Sequence, residues 1–373
     1  MTADTPVIPM AAVADALAAY GWSGWVEARF GEHAAAGLEP ARVLAEDRGS
    51  YVARTPAGER RASVTGRFRF EAGDDPAAYP AVGDWVAIES HDDAAAIRAV
   101  LPRRTSVVRH APGKRTAAQV VGANIDTVFV VASLNADLNL RRLERYLATA
   151  WESGAEPVVL LSKADLADDP EAAVALVESV AVGVAIFTVS VVDRRGLAEL
   201  RARIRSGDTV AFIGSSGVGK STLLNALAGD EVAATAAIRE DDARGRHTTS
   251  RRQLHLIAGG GLVLDTPGMR ELGLWDADVG LDRSFGDVEA FAAECRFGDC
   301  RHAGEPGCAV AAALASGKLD PARLDGWRKL EREARHLERR VDALARAEER
   351  RRWKLIGKSV GRHMDAKYGR GEW

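Results

Sequence analysis

The chain has 373 residues, 47% of them hydrophobic and 28% charged, with 50 Lys+Arg against 53 Asp+Glu for a formal net charge of −3. That length and apolar content exclude a disordered chain and leave room for two or three cores, and the near-neutral balance excludes a surface that is basic throughout. Any nucleic-acid surface is therefore local, and one is at hand: Pro321 to Trp373 carries 16 Lys+Arg and 9 Asp+Glu, while everything upstream is acidic by ten.

No apolar run approaches the roughly 20 residues that cross a bilayer. The longest uncharged one, Val180 to Val192, is broken by Gly183, Thr188 and Ser190. Met1 to Met10 carries Asp4 and two prolines with no basic residue ahead of an apolar core, so no secretory signal is expected and a cytoplasmic, membrane-free protein is. The three cysteines all fall between Cys295 and Cys308, and in a reducing compartment such crowding points to metal rather than to disulfides.

Three zones follow in chain order. An alanine-rich helix is expected over Ala11 to Tyr20. Short β-like pieces then run through Arg42–Glu46, Ser50–Arg54, Arg61–Phe70, Asp84–Glu89 and Ala96–Val100, separated by Pro56-Ala57-Gly58, Gly73-Asp74-Asp75-Pro76 and Val82-Gly83. Five short strands suggest an oligonucleotide-binding (OB) type β-barrel or another small β-domain. From Thr127 the texture is α/β. Thr127–Leu134, Pro157–Leu161, Ala185–Val189, Thr209–Ile213 and Leu262–Asp265 have the unbroken apolar character of buried parallel strands. They alternate with helices: one capped by Asn139 and ended by Gly154, others over Pro170–Val180 and Leu197–Arg205. The third zone, from about Asp282, holds the cysteines and a charged helix. Its residues Trp327, Leu330, Ala334, Leu337, Val341 and Leu344 form a seam that packs on its own body or on a second copy. The expected domains are 1–108, helix plus OB barrel; 109–281, nucleotide-binding; and 282–373, metal-binding and mostly helical, with a basic C-terminal tail.

Strand Thr209–Ile213 runs into Gly214-Ser215-Ser216-Gly217-Val218-Gly219-Lys220-Ser221-Thr222, a G-x4-G-K-[ST] phosphate loop in strand–loop–helix context. Its glycines let successive N–H groups turn inward on a β-phosphate at a helix N-terminus. Lys220 is expected to bridge β- and γ-phosphates and Ser221 to ligate Mg²⁺. Leu160-Leu161-Ser162-Lys163-Ala164-Asp165 ends an apolar strand, where Asp165 can accept from guanine N1–H and the 2-amino group together and the Lys163 stem can cover the base. Adenine offers no such donor pair, which favours GTP over ATP.

Strand Leu262–Asp265 ends in Asp265-Thr266-Pro267-Gly268, which fits an Asp holding Mg²⁺ through water and a Gly268 N–H on the γ-phosphate. Between the two lies Gly245-Arg246-His247-Thr248-Thr249-Ser250, placed for a switch in which Thr248 or Thr249 senses Mg²⁺. The order is permuted: Asp165 precedes Gly214 by 49 residues, whereas Ras-like enzymes place the phosphate loop first.

Together, Arg42-Val43, Gly83-Asp84-Trp85-Val86, Asn124-Ile125-Asp126, the phosphate loop, Gly245-Arg246-His247-Thr248-Thr249 and Asp265-Thr266-Pro267-Gly268 resemble the circularly permuted, ribosome small-subunit-dependent GTPases of RsgA type. The resemblance covers nearly the whole chain. It implies an N-terminal OB barrel, a permuted GTPase domain and a C-terminal zinc domain, with subunit-stimulated GTP hydrolysis in late maturation of the small ribosomal subunit. It also implies that Ser190, just after a strand, lies in a second base-contacting loop and acts through its backbone N–H. Ser162 stands where the family has Asn, and the lost amide is expected to loosen the tie between base loop and phosphate loop.

Cys295-x4-Cys300-x-His302-x5-Cys308 supplies three thiolates and one imidazole, a closed tetrahedral set for one structural Zn²⁺. Met269 follows Gly268 where Ras-like enzymes keep a water-orienting glutamine. A thioether cannot do that work, so slow hydrolysis alone is expected, with His247 the candidate catalytic group in cis. The expected partners are GTP/GDP and the small subunit with its rRNA, and the expected state is monomeric. Two rivals are an ATP-using enzyme and a nucleotide-gated RNA-binding module in which hydrolysis is incidental.

Overall fold

The computed structural model describes residues 9–47, 49–91, 94–110, 118–135, 138–229, 252–257, 259–265 and 283–335. His247, Thr248, Thr249, Gly268, Met269 and the basic tail lie outside them. Two helices, α1 (Met10–Leu17) and α2 (Gly24–Ala35), precede β1 (Glu39–Asp47), β2 (Ser50–Thr55) and β3 (Gly58–Val64). After α3 (Gly66–Ala72) come β4 (Trp85–His91) and β5 (Ala94–Val100). The ladder runs β1-β2-β3-β5-β4 and closes through β4 on β1, with β3 and β5 parallel. This is a five-stranded barrel of OB type. Ala41, Val43, Tyr51, Ala53, Val64, Val86, Ile88 and Ile97 fill its interior.

One expected strand is corrected here, since Arg61–Phe70 is two elements. The Thr65 hydroxyl accepts from Phe68 N at 3.1 Å, a side-chain cap that ends the strand and starts α3. Phe68 then plugs the barrel, and Phe70 on the far face is 88% exposed.

A ribbon of β6 (Ser106–His110) and β7 (Ala118–Ala123) leads into the second sheet. It comprises β8 (Thr127–Ser133), β9 (Glu156–Ser162), β10 (Ala185–Thr188), β11 (Thr209–Ile213), β12 (Arg252–Leu256) and β13 (Leu262–Asp265), in spatial order β10-β9-β8-β11-β13-β12. All pairings are parallel except β12–β13. Alternation along β8 sends Val128 and Val130 to one face, with Leu143 and Leu147 of α4 (Leu140–Glu152) and Val177 of α5 (Pro170–Glu178). Phe129 and Val131 go to the other, with Leu200 of α6 (Leu197–Arg203) and Leu223, Leu224 and Leu227 of α7 (Lys220–Ala228). The sheet is doubly wound, and β9 precedes β11 in the chain while lying two strands from it in space.

The barrel and the sheet share an edge. β12 pairs with β1 at Ala45↔Gln253 and Glu46↔Arg252, and Arg252 Nη1 meets Glu46 Oε2 at 2.9 Å. Deeper in, the buried Arg42 donates to Tyr20 O (2.9 Å), Thr209 Oγ1 (3.1 Å) and Asn124 O (3.2 Å), with its guanidinium 5.0 Å from the Trp85 ring centroid. Burial lowers its pKa to about 10, so it stays charged and joins three segments.

In the C-terminal region α8 (Gly286–Ala293), α9 (Ala309–Ala315) and α10 (residues 321–335) pack around Phe285, Val288, Val310, Leu319, Leu324, Trp327 and Leu330. The described part of the expected seam, Trp327, Leu330 and Ala334, thus packs on its own body. Arg323 joins this region to α4, donating to Glu144 Oε1 at 2.7 Å and to Asp287 Oδ1 at 2.8 Å. Glu144 and Arg323 are both buried, and burial raises the Glu144 pKa against the pull of Arg323. No helix among the described residues is long and apolar enough to cross a membrane.

Candidate nucleotide site and metal centre

Every residue of β11 is buried, and the chain leaves it through Gly214 at φ 148°. A Cβ there would stand 2.4 Å from Val131 O, so only glycine passes between β11 and β8. Gly217 (φ 80°) and Gly219 (φ 95°) complete the curl, and α7 starts at Lys220. Lys220 Nζ donates to Gly214 O at 2.7 Å and to Ser215 O. Ser221 and Thr222 occupy the first turn of α7, so a helix N-terminus, its positive dipole end and an ammonium converge on one loop.

The base loop abuts it. β9 ends at Ser162, Lys163 takes a left-handed turn (φ 58°), and Asp165 sits in the single 3₁₀ turn Ala164–Leu166. Ser162, 3% exposed, donates through Oγ to Val218 O at 2.6 Å, and its Oγ lies 3.9 Å from where a Gly219 Cβ would be. The hydroxyl is shorter than an amide side chain, but β9 brings it close enough to make a bond between the two loops.

Ser190 stands beside this loop. Its backbone N–H is engaged by Arg195 O at 3.0 Å, while its hydroxyl donates to Asp165 Oδ1 at 2.7 Å. In this arrangement it is the hydroxyl of Ser190 that reaches the Asp165 carboxylate. Gly196 (φ 69°) allows this loop to fold back, since a Cβ there would meet Thr188 O at 2.2 Å.

Asp265 ends β13, which lies beside β11, and pairs across the sheet with Gln253. His255, two residues along β12, is held below the ordinary histidine pKa by burial, with Asp265 pulling the other way. One contact had no local signal in the sequence: Arg142 Nη1 of α4 donates to Ser215 Oγ at 2.8 Å, across 73 residues of chain.

The second constellation lies between α8 and α9. One ligand atom each from Cys295, Cys300, His302 and Cys308 falls within 4.8 Å of every other. Cys295 Sγ is 3.5 Å and Cys308 Sγ 3.7 Å from His302 Nδ1, and the two sulfurs are 4.0 Å apart. Tetrahedral zinc with bonds of about 2.3 Å to sulfur and 2.0 Å to nitrogen requires edges of about 3.5–3.8 Å, so the donor set fits such an ion. The supporting contacts are of the kind that orient ligands. Arg328 Nη2 donates to His302 O at 2.6 Å, the Trp327 ring stands 5.8 Å from the imidazole, and the Glu305 carboxylate accepts from Ala303 N at 2.7 Å and Arg301 N at 3.1 Å.

Comparison with known proteins agrees with this geometry. Residues 100–275 match the RsgA GTPase family. A small ribosomal subunit biogenesis GTPase RsgA of Streptomyces avermitilis is 46% identical over 96% of this chain and 95% of its own length. One of the same name from Streptomyces coelicolor is 45% identical over 95% and 96%. Among solved structures, YjeQ from Thermotoga maritima superposes with a TM-score of 0.60 at 25% identity, over 80% of this chain and 98% of that one. YloQ, titled a circularly permuted GTPase, shares the fold with a TM-score of 0.58 at 22% identity, over 80% and 96%. The order of β9 and β11, the phosphate loop between a buried strand and α7, and these relatives lead to one conclusion: the chain belongs to the RsgA GTPase family and is a GTP-hydrolysing enzyme.

Proposed function

We propose that this GTPase acts in late maturation of the small ribosomal subunit, binding that particle through its barrel and C-terminal region and hydrolysing GTP to GDP and phosphate when the particle stimulates it. The observation that carries the reading is the seating of one nucleotide site between two bodies suited to RNA. The barrel is hydrogen-bonded to β12, and the metal-knuckle region is ion-paired to α4, which also touches the phosphate loop. The relatives' names supply the particle.

In this reading the boundaries 1–108, 109–281 and 282–373 separate barrel, GTPase and zinc domains. Lys163, Asp165 and Ser190 serve guanine. Backbone N–H groups from Gly214 to Thr222 and the Lys220 ammonium hold the phosphates. Mg²⁺, when bound, neutralises charge developing on the β- and γ-phosphates, and Ser221, Asp265 and Thr248 or Thr249 would hold it. The Cys295, Cys300, His302 and Cys308 set would hold zinc, with no position left for hydrolytic chemistry. The basic tail adds salt-dependent affinity for rRNA. The protein works as a cytoplasmic monomer.

Met269 stands where a water-orienting glutamine would, and His247 supplies the group once the particle has docked. Hydrolysis then times residence on the particle. Single-turnover GTP hydrolysis with and without purified small subunits tests this. The wild type is expected to accelerate by orders of magnitude, and His247→Ala to lose most of that acceleration while binding GTP normally. A His247→Ala enzyme as fast as wild type would place the catalytic group on the particle, and no acceleration at all would remove the particle from the reading.

A further inference from the structure

Two of the first three residues of α4 after its cap are arginines, Arg141 and Arg142, and no acidic residue stands in that turn. This breaks a local rule. A helix N-terminus carries partial positive charge that disfavours cations, and the third position is where a capping box places Glu or Gln. The Asn139 side chain accepts from Arg142 N at 3.0 Å, so the backbone of this turn is fixed with the unfavourable residue in it. Such violations in an otherwise consistent sequence concentrate at functional positions, and the Arg142 side chain ends on the phosphate loop.

The loop needs fastening. Three of its first six residues are glycines at positive φ, which lets the backbone curl but supplies no side chain to hold it. Among the described residues, two side chains from outside reach it, one on each limb. Ser162 Oγ donates to Val218 O on the limb entering α7, and Arg142 Nη1 donates to Ser215 Oγ on the limb leaving β11. Ser216 and Gly217, at the apex between them, are exposed. The base of Arg142 is itself rigid, because Leu143 and Leu147 are buried in the sheet core and Glu144 is locked to Arg323 on the opposite side.

We propose that Arg142 is a positioning residue for the phosphate loop. Its guanidinium holds Ser215 so that the N–H groups of the loop converge on the phosphates of a guanine nucleotide before the nucleotide arrives. This rests on the reading of residues 214–222 as the GTP site. The mechanism is a charge-assisted hydrogen bond to a neutral hydroxyl, of the kind whose loss costs about tenfold in an equilibrium.

A double-mutant cycle on the full-length protein tests it, with fluorescent GDP as the probe and melting temperature without nucleotide as the control. Arg142→Ala and Ser215→Ala are each expected to weaken GDP binding about tenfold, and the double variant to be no weaker than either single one. Should Arg142→Ala melt below the wild type, Arg142→Gln, which keeps length and helix propensity, takes its place in the cycle. A loss with Arg142→Ala but none with Ser215→Ala would make the arginine a bulk electrostatic contribution and overturn the positioning role. Additive losses, or no loss in either, would overturn it too. The underlying reading fails differently: a wild-type protein that does not bind GDP removes the site itself.

Discussion

Two glycine-bearing loops carry the chemistry of this molecule, and they are held in opposite ways. The phosphate loop springs from a fully buried central strand, re-enters a helix, and is fastened on both limbs by side chains of other elements. The loop from Cys295 to Cys308 joins two helices of eight and seven residues and turns through His302 at φ 57°, Gly304 at φ 107° and Gly307 at φ 80°. Its own backbone bonds are few, among them Arg296 N to Gly307 O and Cys308 N to Glu305 O. The first loop is shaped by the fold and waits for its ligand. The second brings four ligand atoms together with little backbone bonding behind them, so an ion held there would be part of the framework.

The largest effect expected from this contrast is therefore loss of metal, not loss of nucleotide. Structural zinc contributes on the order of 10 kcal/mol to small metal-folded units. Cys300→Ser, or treatment with a strong chelator, is expected to melt α8 to α10 in a separate early transition, seen as lost helical circular dichroism and rapid proteolysis of residues 283–335. GDP affinity should stay within about threefold, because the sheet core needs no ion. Elemental analysis of the dialysed wild type should return one zinc per chain. A metal-free protein that melts in one late transition would erase the contrast.

Next in size is Lys220→Ala. It removes an ammonium from a preformed anion site, where charged hydrogen bonds contribute about 1.5–3 kcal/mol each. GTP affinity is expected to fall by at least two orders of magnitude, with hydrolysis lost at accessible concentrations and melting temperature without nucleotide nearly unchanged. Isothermal titration with GTP checks the first and a thermal scan the second. A large drop in melting temperature would mean that the lysine also shapes the loop it is meant only to arm.

Much of this was legible in the sequence, and the illegible part has a common physical cause. The phosphate loop, the strands on either side of it, the Asn139 cap and the cysteine spacing are local signals, and each stands where expected. Arg61–Phe70 misled because its apolar alternation continues through a Thr65 cap that one serine-like side chain decides. Helix α2, the ribbon β6–β7 and β12 were missed. The five-residue β12 alternates Arg, Gln, Leu, His, Leu, and its place is set by β13 on one side and β1 on the other, neither of which is local. Within the site, the hydroxyl roles of Ser162 and Ser190 and the reach of Arg142 depend on contacts 56, 25 and 73 residues away. Spacing cannot show which atom of a residue is already engaged.

Ser190 offers a finer probe of the fastened loop. Asp165→Asn is expected to exchange guanine for xanthine preference, because an amide donates to a 2-oxo group where the carboxylate accepted from a 2-amino group. Ser190→Ala removes the 2.7 Å bond that aims that carboxylate, together with the 3.3 Å bond that the hydroxyl accepts from Asp193 N within its own loop. It should therefore cost about 1 kcal/mol, a several-fold loss of GDP affinity, without changing which base is preferred. Competition between GDP, XDP and ADP separates the two outcomes. A base preference altered by Ser190→Ala would mean that its hydroxyl touches the base as well.

The smallest effect belongs to His255, which sits on the strand shared by the sheet and the barrel. Burial holds its pKa below the ordinary 6.5 in the folded protein. A histidine depressed on folding binds fewer protons in the native than in the unfolded state, so stability rises with pH through the interval from the lowered value to 6.5 and is lost as pH falls below 6.5. Charging it would place an imidazolium between β13 and the barrel edge, where β12 pairs with β1 at two positions among the described residues. His255→Gln cannot charge. Its melting temperature is expected to decline less than that of wild type between pH 6.5 and about 5, and to match it above pH 7 apart from a constant offset. Parallel curves for the two proteins over that range would show that His255 titrates alike in the folded and unfolded chains.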